Sequence, residues 1–300
     1  MFKGSIVALL TPFQHQKVDF AALERLVAWH IDQGTQGLVV CGSTGEAMML
    51  EADEHQQIIE TAVQVAAKRI PIIAGTGVIS TRQTIELSQR AERAGADGLL
   101  IVTPPYVKPT QEGLIQHFKT IHDNTNVPII LYNNPGRAVV TLNVETVFEL
   151  AKLPRIVGIK DSTGDLDRPV MMRQHLGPDF ALLCGEDNLT LPYMMHGGDG
   201  VINVTGNIAP KLMREMMDAW HASDATRFKK ARETLIPIAK MMFVEGNPVP
   251  VKYAAWRLGL CANEVRPPLL PLSATFHNQM DQTLAKAGLT PAQELQRAHG

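Results

Sequence analysis

Lys160 closes the apolar run Ile156-Val157-Gly158-Ile159. An amine at the end of a buried strand is removed from water, and desolvation favours the neutral form that attacks a carbonyl carbon. Schiff-base formation is the chemistry open to such a lysine; the alternative is an ion pair with the adjacent Asp161. Tyr132 closes another apolar run, Pro128-Ile129-Ile130-Leu131. If the two runs are neighbouring parallel strands, its phenol stands beside the amine as a general acid or base; otherwise it caps the core with its hydroxyl in water. Gly42-Ser43-Thr44-Gly45 offers successive backbone N–H groups and two hydroxyls, either a nest for a carboxylate or an ordinary turn. Arg137, after Asn134-Pro135-Gly136, suits bidentate capture of a second carboxylate, or a solvated turn.

Other chemistries lack their residues. There is no His-Glu-x-x-His or closely spaced His/Asp/Cys set for a metal. Neither a phosphate loop nor a Gly-x-Gly-x-x-Gly after the first strand is present, so no nucleotide or other cofactor is expected. Cys41 and Cys184 end apolar runs, but neither has the adjacent histidine that would activate a thiolate.

The elements that must position these residues are legible as eight short apolar runs. They are Ile6–Leu10, Gly37–Cys41, Pro71–Ala74, Gly98–Val102, Pro128–Tyr132, Ile156–Lys160, Phe180–Cys184 and Gly200–Val204. Runs without polar alternation are what strands buried on both faces require. Helical periodicity fills the gaps, as at Leu23, Leu26, Val27 and Ile31, and Gly34, Gly95 and Gly197 stand where helix ends call for left-handed caps. Eight strand-helix units in succession predict an α/β fold, a closed (β/α)8 TIM barrel with a C-terminal helical appendage. Residues 1–209 are expected to form the barrel core. Residues 210–300 are expected to supply the last barrel helix and a helical extension packed in the same unit, with periodic segments around Leu212–Trp220, Phe228–Val244, Val251–Leu260 and Phe276–Ala287. The proline-rich stretch 264–271 reads as extended. In such a barrel the chemistry belongs to the C-terminal strand ends, where all the residues above fall.

Composition limits the partners. Of 300 residues, 45% are hydrophobic and 19% charged, and the net charge of -2 provides no basic field for nucleic acid or anionic lipid. No apolar run approaches the ~18 residues of a membrane span. Thr11-Pro12 ends the first run before a signal-peptide core could form. Three scattered cysteines suit a reducing compartment, so a cytoplasmic protein acting on small molecules is expected.

Four segments, taken together, carry a family resemblance: Gly42-Ser43-Thr44-Gly45-Glu46, Tyr132 to Arg137, Gly158-Ile159-Lys160-Asp161-Ser162, and Asn247-Pro248-Val249-Pro250-Val251-Lys252. In order and spacing they resemble the pyruvate-dependent class I aldolase superfamily and, within it, the dihydrodipicolinate synthase family, over residues 1–290. The resemblance implies that Lys160 forms an imine with pyruvate. It further implies that Tyr132 shuttles protons with Thr44 and with Tyr106 donated across a dimer interface. Ser43 and Thr44 would hold the pyruvate carboxylate, Arg137 the carboxylate of L-aspartate 4-semialdehyde, and Gly185 and the Ile202 carbonyl would line the pocket. The product would be 4-hydroxy-tetrahydrodipicolinate, on the route to diaminopimelate and lysine, and the assembly a homotetramer built as a dimer of dimers. Two departures bear on this. Many such synthases have Thr-Thr where this chain has Ser43-Thr44, and Gly-Ser-Thr-Gly-Glu also suits lyases of N-acetylneuraminate or 2-keto-3-deoxy sugar acids. A keto-acid-binding barrel without catalysis is the remote third reading. At positions where lysine-inhibited relatives carry polar side chains, this chain has Ala52, Ile79, Gln83 and Pro105, with only His55 retained, so lysine feedback is expected to be weak or absent.

Overall fold

The computed structural model describes residues 2–290. Its eight parallel strands are β1 (Gly4–Ala8), β2 (Gly37–Val40), β3 (Ile72–Gly75), β4 (Gly98–Val102), β5 (Ile129–Asn133), β6 (Ile156–Asp161), β7 (Ala181–Cys184) and β8 (Gly200–Asn203). They close in sequential order, with β1 pairing both β2 and β8, so the sheet has no edge. The fold class read from the apolar runs is therefore found. A short antiparallel pair, Phe13–Gln14 with Lys17–Val18, follows β1.

Each strand alternates its side chains between two cores. Phe2, Ile6, Val39, Ile73, Leu100, Ile130, Leu183 and Ile202 fill the barrel interior, while Val7, Leu38, Leu131, Ile159 and Leu182 face the helices in the larger outer core. The helices around the barrel are α1 (Phe20–Asp32), α2 (Ala52–Ala66), α3 (Thr81–Arg93), α4 (Gln111–Asp123), α5 (Val144–Leu150), α6 (Asp167–Leu176), α7 (Thr190–Met195) and α8 (Pro210–His221). Their starts are written locally. Asp19, Ser80 and Thr110 side chains accept from the backbone N–H three residues on, and Glu51 with Glu54 forms a capping box. Gly34, Gly95 and Gly197 have φ of 80°, 89° and 98°, the left-handed caps expected of them.

Three more helices follow: α9 (Ala225–Met241), α10 (Val249–Arg257) and α11 (Ala274–Lys286). Leu235, Val251 and Met280 are buried in the same outer core as the barrel helices. The stretch 264–271 contains no helix, as its prolines require. The expectation for residues 291–300 lies outside the described residues. The first strand is displaced from its predicted position: it starts at Gly4 and ends at Ala8, before Leu9 and Leu10. Those two leucines are buried in a loop whose N–H groups bond to the Val39 carbonyl and to Asn207 Oδ1, so burial persists without strand geometry.

Candidate active site

Tyr132 and Lys160 lie directly opposite each other in the β5–β6 register. Both side chains therefore point into the barrel mouth, and Lys160 Nζ sits 4.3 Å from the centroid of the Tyr132 ring. The ion pair with Asp161 does not form. Asp161 is the next residue along the strand and faces outward, where its carboxylate accepts from Arg168 Nε at 2.8 Å. Lys160 is 6% exposed and has no carboxylate partner among the described residues. The amine is thus removed from bulk water without being tied to an anion.

Above it opens a cavity of about 460 Å³. Ala8, Val39 and Leu100 form its apolar floor; Ser43, Thr44, Tyr132, Arg137, Lys160 and Gly185 all line it. Ile202 is not among the lining residues. Its side chain is wholly buried in the barrel interior, and Val204 lines the cavity at that strand end. Gly185 serves by having no side chain, since a Cβ there would stand 1.9 Å from Ser162 Oγ and 3.0 Å from the Asp161 carbonyl.

The Gly42–Gly45 loop is held from several sides. Cys41 and Glu46 bracket it at φ of 54° and 56°, left-handed backbone that costs roughly 1–3 kcal/mol per non-glycine residue and needs packing to offset it. That packing includes the Glu46 carboxylate, which accepts from Lys252 Nζ at 2.6 Å with both side chains fully buried, and from the Arg266 N–H at 2.9 Å. Lys252 also donates to the Glu264 carbonyl and lies over the Phe13 ring. Glu46, whose role sequence reasoning left open, is a clamp on the back of the loop. The loop's own backbone bonds leave the Ser43 and Thr44 N–H groups without acceptors among the described residues.

The Tyr132 and Thr44 hydroxyls each accept from an asparagine amide. Thr44 Oγ1 accepts from Asn247 Nδ2 at 3.0 Å, and Tyr132 Oη accepts from Asn134 Nδ2 at 2.7 Å. Burial pushes the Tyr132 phenol up, but the Lys160 charge, the Asn134 hydrogen bond, Arg137 and Ser162 together outweigh it, and the net displacement is downward. Asn247 is the residue that sequence reasoning passed over. Its carbonyl accepts from Arg137 Nη2 at 2.9 Å while its amide holds Thr44, so one side chain and one peptide link the two residues across the cavity. The only sequence signal for it was its place in the Asn-Pro-Val-Pro-Val-Lys segment. Asn134 and Ser162 were likewise quoted as parts of motifs without a role.

Tyr106 lies outside the cavity lining, 82% exposed and at φ 74°, beside exposed Val107. Among the described residues no three His, Cys, Asp or Glu side chains cluster to hold a metal, and no helix is long and apolar enough to cross a membrane.

A closed parallel barrel with a buried, unpaired lysine facing a phenol at its C-terminal mouth defines the class, the barrel lyases that work through a lysine imine. The sequence profile of the Dihydrodipicolinate synthetase family matches residues 1–287, and the chain belongs to that family. It is 48% identical to the 4-hydroxy-tetrahydrodipicolinate synthase of Rhodospirillum centenum over 289 residues, 96% of this chain and 99% of that one. Among solved structures it superposes on the dihydrodipicolinate synthase of Aquifex aeolicus with a TM-score of 0.95 at 44% identity, covering 97% and 99% of the two chains. A chloride-inhibited dihydrodipicolinate synthase from Acinetobacter baumannii, complexed with pyruvate, gives 0.94 at 45% identity, with 96% and 100% covered.

Proposed function

We propose that the chain condenses pyruvate with L-aspartate 4-semialdehyde, through an imine on Lys160, to give 4-hydroxy-tetrahydrodipicolinate. The observation that carries this is the buried, unpaired Lys160 amine against the Tyr132 ring, in a cavity that also holds the Arg137 guanidinium, without a carboxylate partner among the described residues, and free N–H groups at Ser43 and Thr44. The amine adds to the keto carbon and water leaves as the imine forms. The imine acidifies the pyruvate methyl, and Tyr132 is the group placed to carry the proton. The enamine then attacks the aldehyde carbon, and the semialdehyde's nitrogen displaces Lys160 as the ring closes. The two carboxylates are assigned to the Ser43-Thr44 backbone and to Arg137, an N–H nest and a bidentate cation respectively. No metal or organic cofactor enters this chemistry.

The assembly is proposed to include a dimer that carries the partner subunit's Tyr106 to each cavity. Exposed Met48, Tyr106, Val107 and Leu270 support an apolar contact there, beside a second depression that shares Ser43, Arg137 and Asn247 with the cavity. Mixing a Tyr106→Phe variant with a Lys160→Ala variant should restore activity through hybrids. Strictly additive activities would remove Tyr106 from the partner's site.

The main test is pyruvate consumption by the purified protein with aspartate semialdehyde, beside parallel cleavage assays on N-acetylneuraminate and 2-keto-3-deoxy sugar acids. Semialdehyde-dependent consumption is expected, with borohydride fixing pyruvate on Lys160. Turnover of the sugar acids alone would overturn the substrate assignment while leaving the lysine chemistry intact.

A further inference from the structure

The proposed second substrate carries three polar groups, and the residues above account for only two. Arg137 takes its carboxylate and the lysine enamine its aldehyde, which leaves an ammonium to be desolvated in the cavity. An ammonium taken from water without an anionic partner would be costly, so the site needs an anion. Two carboxylates line the cavity, Glu186 and Glu245. Glu245 belongs to the rim loop after α9, and its Oε2 accepts from the Ser273 N–H. Glu186 follows Gly185 at the end of β7, is half-buried, and has no ion-pair or hydrogen-bond partner for its carboxylate in the contacts of the described residues. Its neighbour Asp187 is not available, because that carboxylate is occupied by the N–H groups of Val204 and Thr205 and by the Thr205 hydroxyl.

We propose that the Glu186 carboxylate receives the ammonium of the second substrate, opposite Arg137, and takes the proton this nitrogen must lose before it can close the ring. The proposal rests on the reading that the second substrate is an amino-acid semialdehyde. In the step itself the ammonium N–H bond breaks and its proton passes to a Glu186 oxygen. The freed pair forms the new C–N bond at the imine carbon. One proton then moves from the ring nitrogen to the lysine nitrogen, the bond to Lys160 breaks with its pair kept by that amine, and the ring nitrogen's pair closes the C=N bond. The ring nitrogen releases its remaining proton to water.

The surroundings of Glu186 suit a proton acceptor. Burial, then the adjacent Asp187, raise its proton affinity against the pull of Lys160, Ser162 and Arg137. Ser162 Oγ is buried, without a partner in the contacts of the described residues, and influences both Glu186 and Tyr132. It is placed to hold the carboxylate toward the cavity.

The test uses a pair of aldehydes that differ only in the amine. Aspartate semialdehyde is the substrate, and succinic semialdehyde, which lacks the nitrogen, is assayed as a competitive inhibitor against it. Glu186→Gln should raise KM for aspartate semialdehyde at least about tenfold, the usual effect of losing a charged hydrogen-bond partner, while the inhibition constant of succinic semialdehyde stays within about twofold. Borohydride trapping of pyruvate on Lys160 should persist, Glu186→Asp should recover part of the loss, and Glu245→Gln should leave the ratio of the two constants where it was. Equal changes in both constants would assign Glu186 to structure, loss of the trapped adduct would assign it to the pyruvate half-reaction, and a ratio that moves only in Glu245→Gln would transfer the role there; each overturns the proposal. Failure of the underlying reading looks different, because the unaltered protein would then not turn over aspartate semialdehyde at all.

Discussion

At the scale of single residues, the site depends on atoms that are absent as much as on those present. Gly185 leaves room for Ser162 Oγ, which a Cβ would meet at 1.9 Å. Gly185→Ala should therefore lower kcat/KM by two orders of magnitude or more, since displacing Ser162 disturbs groups beside both Tyr132 and Glu186. Adding Ser162→Ala removes the clashing oxygen and leaves the nearest side-chain atom, Ser162 Cβ, at 3.1 Å. The double variant should then recover part of the loss, and a double-mutant cycle showing simple additivity would contradict the steric cause. Asn247 invites a different experiment, because its side chain holds Thr44 while its backbone carbonyl meets Arg137. Asn247→Ala removes the first contact and keeps the second, so it should raise the KM of pyruvate about three- to tenfold for a lost hydrogen bond and leave that of the semialdehyde nearly unchanged. Equal rises for both substrates would show that the Asn247 backbone moves with its side chain.

At the scale of elements, the Gly42–Gly45 loop after β2 is shaped from behind by α10. The Glu46–Lys252 pair joins them with both side chains fully buried. A buried pair is weak evidence for net stability, but removing one member strands a charge, at about 3–5 kcal/mol. Glu46→Gln should lower the urea midpoint accordingly and also raise the KM of pyruvate, since the loop would lose its clamp. A stability loss with unchanged pyruvate affinity would mean that Thr11, whose hydroxyl donates to the Gly45 carbonyl at 2.7 Å, is sufficient to hold the loop. This coupling was not readable in the residue order. Glu46 and Lys252 stand far apart in the chain, one in a βα loop and the other in a helix beyond the barrel, and only packing brings them together.

At the scale of the whole molecule, buried histidines contribute to acid sensitivity. Burial lowers His30 to about 3 and His117 to about 4, from an ordinary value of 6.5. The unfolded chain binds more protons than the folded one between 6.5 and those values, so stability is full above that window and falls with pH through it. Each histidine contributes a slope of up to ~1.4 kcal/mol per pH unit. Thermal unfolding followed across the window should show a falling Tm, and His30→Gln should flatten the slope; an unchanged slope would place the acid sensitivity elsewhere. Regulation belongs to this scale as well. The family resemblance sets Ala52, Ile79, Gln83 and Pro105 at positions expected to be polar in lysine-inhibited relatives, so sub-millimolar lysine should inhibit the initial rate weakly or not at all. Clear inhibition in that range would show an effector site built from other residues.

The sequence alone determined the barrel, because a strand buried on both faces must be continuously apolar and a helix end needs its glycine, and both are local requirements. Polar residues at the C-terminal ends of these runs also marked Lys160, Tyr132, Arg137 and the Ser43-Thr44 loop as candidates. What the tertiary structure decided was partnership. Strand register set Tyr132 against Lys160 and turned Asp161 outward to Arg168. Closure of the barrel put the Ile202 side chain into the interior, which leaves only its carbonyl for the expected place in the cavity wall. Asn247 and Lys252 acquired their places through contacts between segments far apart in the chain, and such contacts leave no periodic trace in the order of residues because they depend on distances that exist only once the sheet has closed.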